Sequence, residues 1–88
     1  MSVESTPIRL DQGLNYRVNG REVGVMNVFE EGGSLVVQLS VFDPTTSTDD
    51  DIYVRTNDAL TVGDQRFRVV DVRSARVGTR AWLQIVPE

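Results

Sequence analysis

The sequence predicts an all-β domain: a small antiparallel meander of about seven or eight short strands, closed as a barrel or a sandwich. Three observations carry this. Apolar residues alternate with polar ones at the two-residue strand period, as in Leu35, Val37, Leu39 and Val41. Turn dipeptides recur between these runs, at Asn19-Gly20, Gly32-Gly33 and Gly63-Asp64. No stretch keeps a helical period. The 88 residues suffice for one domain, residues 7–88, preceded by a polar segment at 1–6 that has nothing to bury.

Taken in order, Ile8 to Leu10 forms a short first strand. Asn15 to Val18 leads into Asn19-Gly20, whose residues both tolerate positive φ and so favour a two-residue hairpin turn. The returning strand, Glu22 to Phe29, sets Val23, Val25 and Phe29 on one face and Gly24, Met26 and Val28 on the other. After the Glu31-Gly32-Gly33 turn comes Leu35 to Phe42. Residues 43–51 (DPTTSTDDD) read as an acidic loop, because Pro44 cannot donate to a ladder and the run offers nothing apolar. Ile52 to Thr56 turns Ile52 and Val54 inward, Tyr53 and Arg55 outward. A turn at Asn57-Asp58 and a strand at Leu60 to Val62 precede the closing hairpin. In that hairpin Phe67 and Val69 alternate with arginines, but Val69 and Val70 are adjacent. Such a slip is the mark of a β-bulge, with Val70 and Val72 then taking over as the inward pair. Ala81, Leu83 and Ile85 form the apolar face of the last strand and Trp82 lies opposite them.

Composition narrows the function. With no cysteine and no histidine, the chain lacks thiol chemistry, cysteine-ligated metal and the commonest general base. Carboxylate pairs such as Glu30 and Glu31, or Asp64 and Asp71, are expected by chance in a chain of 13 acids and net charge −4. These features point away from an enzyme and imply no cofactor. No apolar run reaches the roughly 20 residues of a membrane span, and MSVESTPIRL has neither part of a signal peptide. The compartment expected is the cytoplasm, or a virion.

All nine basic residues are arginine. Residues 1–59 hold four arginines against ten acids, net −6, while residues 60–88 hold five against three, net +2. A nucleic-acid groove would need more positive charge with interleaved aromatics. The expectation is instead that Arg66, Arg68, Arg73, Arg76 and Arg80 pair with acids on earlier strands. Asp43, Asp49, Asp50 and Asp51 offer the oxygen ligands calcium takes, yet without the alternating spacing of a calcium loop, so calcium is not expected. The favoured site is for a protein partner or for self-association. It joins Phe42, Tyr53, Arg55, Arg80 and Trp82, the aromatic and arginine composition of an interface hot spot.

The closing segment LTVGDQRFRVVDVRSARVGTRAWLQI resembles two kinds of tiny bacterial β-domain. One is the small single-domain β proteins of unknown function from GC-rich actinobacteria, which share a G-x-x-V strand near the start (here Gly20 to Val23). The other is the head–tail joining β-barrels of tailed phages, with a similar G-D turn and closing hairpin. The resemblance covers the last quarter of the chain. It implies a non-enzymatic role and brings no catalytic residues. The function expected is an interaction module for a protein partner, for example a basic one steered by the net −6 half. The alternative is a structural subunit of a phage virion or secretion assembly.

Overall fold

A computed structural model describes residues 6–88; the expected polar segment lies outside the described residues except for exposed Thr6. Among the described residues eight strands form: β1 (Ile8–Asp11), β2 (Asn15–Val18), β3 (Arg21–Glu31), β4 (Ser34–Asp43), β5 (Thr48–Val54), β6 (Ala59–Val62), β7 (Gln65–Arg73) and β8 (Trp82–Pro87). They make two four-stranded antiparallel sheets, ordered β1-β8-β7-β6 and β2-β3-β4-β5. This is a sandwich, since among the described residues no ladder carries either sheet round into the other. A single parallel bridge from Gln12 to Val25 and the bond from Gln12 N–H to the Ala81 carbonyl stitch one corner. No helix among the described residues is long and apolar enough to cross a membrane.

Between the sheets lies one apolar layer. Val23, Val25, Val37, Leu39 and Val54 from one sheet meet Leu10, Leu60, Val62, Phe67, Val69, Val72, Leu83 and Ile85 from the other, all buried. Short β-branched side chains on a pleated surface fill such a thin core in few rotamers. The turns follow the expected chemistry. Asn19 and Gly20 both take positive φ, as do Gly32 and Gly33, which matches the right-handed twist of the strands they join.

Two bulges set the phase of the long strands. The register of β7 against β8 shifts between Val69 and Asp71, where the doubled valines place it. Val70 is the extra residue and points outward, so the inward pair across the bulge is Val69 and Val72 rather than Val70 and Val72. A second shift, between Val25 and Asn27, leaves Met26 unpaired in β3. Beyond it Val28 packs on the core while Phe29 turns to the outer face, which corrects the grouping of Phe29 with Val23 and Val25.

The acidic segment also differs from expectation. Only residues 44–47 form the turn, and β5 begins at Thr48, so Asp49, Asp50 and Asp51 lie on a strand opposite Phe42, Val41 and Ser40. Aspartate has little strand propensity, but β5 is an edge strand beside the ten residues of β4. The ladder is therefore extended at a position where each acid stays in solvent.

Candidate functional site

The pairing register shows what the outer face of the β2-β3-β4-β5 sheet carries. Phe29 lies opposite Val36, Asn27 opposite Gln38, and Gln38 opposite Tyr53. Phe29 and Tyr53 meet edge to face, with ring centroids 6.5 Å apart, the arrangement favoured by the aromatic quadrupole. Val36 is buried although it faces away from the core. Tyr53 is 59% exposed and Met26 is 57% exposed, large for apolar groups on one sheet face. Arg55 closes this end. Its guanidinium donates to the Glu31 carbonyl at 3.1 Å and to the Ser34 hydroxyl, and pairs with the Glu31 carboxylate at 3.6 Å. Arg55 is thereby a strut across the β3–β4 turn.

Toward the other end of the same face the surface becomes acidic. Asp49 accepts a 2.7 Å hydrogen bond from the Ser40 hydroxyl. Asp50 and Asp51 have no arginine within ion-pair distance among the described residues. Consecutive aspartates on a strand point to opposite faces, so these three cannot converge on one ion. Among the described residues no group of three acidic side chains is placed to hold a metal.

The five residues expected to form one site are divided by the fold. Tyr53 and Arg55 share the outer face of the β2-β3-β4-β5 sheet. Phe42 lies on that face but opposite Asp49, four residues along β5 from Tyr53, about 13 Å at the strand rise. Trp82 belongs to the other sheet, opposite Asp11 and Arg73. It is half-buried there, with the Arg9 guanidinium 4.5 Å from its ring centroid. Arg80 sits before β8 and donates to the Gln12 carbonyl at 3.4 Å. A single patch uniting all five is ruled out by this placement, because β8 pairs with β1 and β7 and never with β5. Phe29, Val36 and Met26 are the members missed. The available signal was Asn27: strict alternation from Val23 and Val25 would turn this amide into the core.

Arg66, Arg68 and Arg73 of the last hairpin do find acids, but not on earlier strands, while Arg76 and Arg80 have no carboxylate within ion-pair distance among the described residues. Glu88 pairs with both Arg66, at 2.8 Å, and Arg68, at 3.0 Å, and Asp71 pairs with Arg73 at 3.5 Å. These carboxylates all come from residues 60–88, so the acids of β5 remain uncompensated.

The surface of the described residues also carries clefts. One, of about 250 Å³, opens where the 19–20, 44–47 and 63–64 turns meet, and is lined by Arg21, Asp43, Asp50 and Thr61 among others. Arg21 pairs with Asp43 at 3.4 Å. The Thr45 N–H, donating to the Asp43 carboxylate at 2.9 Å, holds that acid below the ordinary range, and Arg21 adds to this. Asn19 bridges the sheets, donating to the Val62 carbonyl at 2.9 Å and to Asp64 at 2.8 Å; the latter bond lowers the Asp64 pKa. Gly63 permits this approach, for a Cβ there would stand 2.7 Å from the Asn19 amide nitrogen. The second cleft, of about 270 Å³, lies between Trp82 and the Arg76–Thr79 turn. No family model, curated protein or solved structure matches this chain.

Proposed function

We propose that the chain is a non-catalytic protein-interaction module whose outer β2-β3-β4-β5 face receives a positively charged protein partner. The observation that carries this reading is the exposure of Tyr53 and Met26 on a face where Asp49 and Asp51 have no arginine within ion-pair distance among the described residues. Desolvating Tyr53 against a partner would supply the apolar anchor, and Asp49 and Asp51 a charged rim. The net charge of −6 over residues 1–59 would raise the encounter rate with a basic surface. A binding role is favoured over catalysis by the clefts themselves. Hydrogen bonds pull Asp43 and Asp64 down, whereas a general acid working near neutrality needs its pKa raised.

The test is an NMR titration of the isotopically labelled protein with an arginine-rich, tyrosine-containing decapeptide. Shift changes are expected at Phe29, Gln38, Asp49, Asp51 and Tyr53, with about tenfold weaker binding for Tyr53→Ala. Changes centred on the Trp82 indole, or an affinity unaltered by Tyr53→Ala, would move the site elsewhere. Sedimentation at high protein concentration separates the structural-subunit alternative, which requires assembly without any added partner.

A further inference from the structure

The two sheets leave four edge strands, β1, β2, β5 and β6. Three of them have four residues each, while β5 has seven. Short edges offer too few backbone groups to template another strand, so brevity protects three of the four. The β5 edge is not protected in this way. Its ladder with β4 runs from Thr48 to Val54 without a register shift, so no bulge twists it away. No backbone bond joins residues 48–54 to any strand other than β4 among the described residues. On the outward side of an edge strand, every second residue presents an unpaired N–H and C=O.

We infer that β5 is a docking edge for an extended, basic segment of a partner protein, which adds as a fifth strand beside it. This inference rests on the proposed binding of a basic partner to the same sheet and names how that partner binds. Backbone pairing would give affinity, and alternate side chains would give selectivity. Asp49, Asp51 and Tyr53 project from the outer face in series, with Asp50 and Ile52 between them on the inner side. The complementary strand therefore carries two arginines or lysines at alternate positions opposite Asp49 and Asp51. Paired antiparallel, like its neighbours in the sheet, that strand places an aromatic or β-branched residue two positions before them in its sequence, opposite Tyr53. An apolar residue belongs opposite Ile52. The same acids make a second copy of β5 a poor neighbour, since like charges would face each other across the new ladder. The edge thus rejects its own kind and selects opposite charge.

The experiment compares two synthetic nonapeptides, both with a tyrosine two positions before the first of two arginines that are themselves two apart. In one the backbone is ordinary; in the other, alternate amides are N-methylated so that charge is kept but strand pairing is lost. Binding to the full chain is followed by fluorescence anisotropy, and amide exchange is measured across β5. The ordinary peptide is expected to bind, to slow exchange of the outward-pointing β5 amides, and to lose about tenfold in affinity on N-methylation. The double variant Asp49→Asn, Asp51→Asn should lose a similar factor while retaining its circular dichroism. Equal affinity for the two peptides would overturn the docking edge yet leave recognition of a basic partner standing. Absence of binding by either peptide would overturn both. Dimerisation of the unliganded protein through β5 would also overturn the inference, because the edge would then be filled by its own copy.

Discussion

The two outer faces of the sandwich have similar numbers of charged groups and opposite organisation. On the β1-β8-β7-β6 face each arginine of the strands has its acid: Arg9 with Asp11, Arg66 and Arg68 with Glu88, Arg73 with Asp71. The one tryptophan there is covered by a guanidinium. On the β2-β3-β4-β5 face the aromatic rings pack on each other, Tyr53 remains exposed, and the aspartates of β5 stand without counter-charges. A surface whose charges and aromatic groups are internally paired has little left to offer a partner. One that leaves an aromatic ring and a row of aspartates open to solvent has groups available for the proposed partner. The location of function is thus argued from which groups are satisfied, since both faces contain the residue types of a hot spot.

The strongest way to break this comparison is to truncate the large aromatic residue on each face. Trp82→Ala removes a half-buried indole together with its stacked arginine and should cost about 2–3 kcal/mol of stability, below the range for a fully buried tryptophan. It should leave binding of the basic peptide unaltered. Tyr53→Ala should cost less than about 1 kcal/mol, because more than half of the ring is already in water, while weakening that binding about tenfold. Urea unfolding and anisotropy on the same two variants decide the matter. Stability losses of equal size, or binding lost through Trp82, would erase the distinction between the faces. Phe29→Ala sharpens it further, with an expected cost of about 2 kcal/mol as Val36 becomes exposed.

Next in size is the cover over Trp82. Arg9→Ala removes the cation over the ring and the 3.0 Å pair with Asp11. The loss should be about 1 kcal/mol, with a red-shifted and more readily quenched tryptophan emission. An unchanged spectrum would mean that Trp82 owes its shielding to the sheet alone.

How much of this was legible beforehand differs from strand to strand, for physical reasons. Asn19-Gly20 and the doubled valines at 69–70 reveal a turn and a bulge, because each violates a local rule in only one way. The bulge at Met26 is hidden, since Val25, Met26, Val28 and Phe29 are apolar in either phase and Asn27 alone betrays the slip. The aspartates of β5 read as loop because strand propensity is a statement about half-buried positions, and an edge beside a long neighbour relaxes it. The outward direction of Trp82 and Tyr53 follows from alternation within each strand. Their separation onto two sheets does not, because it depends on β1 pairing with β8, a contact between the two ends of the chain.

Acid affects the two faces through the end that joins them. Asp43 and Asp64 have folded pKa values below their ordinary value of 3.8, held there chiefly by the Thr45 N–H and the Asn19 amide. Their contribution is therefore complete above that ordinary value and is lost as the pH falls through the lower folded values. Urea midpoints should be flat from neutrality to about pH 5 and decline below about pH 4. Asn19→Gly keeps the positive φ of the turn but removes the amide, and should make the acid decline shallower. A decline as steep as that of the parent would assign the acid sensitivity to other carboxylates.

The smallest effect expected is the most diagnostic of the paired face. Glu88 serves Arg66 and Arg68 together, and although its own side chain is largely covered, both arginine side chains are more than half in water. Pairs whose cations stay in water gain little over hydration, so Glu88→Gln should cost no more than about 0.5 kcal/mol. Raising the salt concentration should reduce even that difference, because the Debye length contracts to about 3 Å at 1 M. Binding of the basic peptide to the opposite face should respond far more to the same salt, since there the charges of one molecule meet those of another across a rim that water reaches. Parallel salt series on the unfolding of Glu88→Gln and on peptide affinity compare the two faces directly. A salt-insensitive affinity would mean that the aspartates of β5 guard the edge without attracting anything to it.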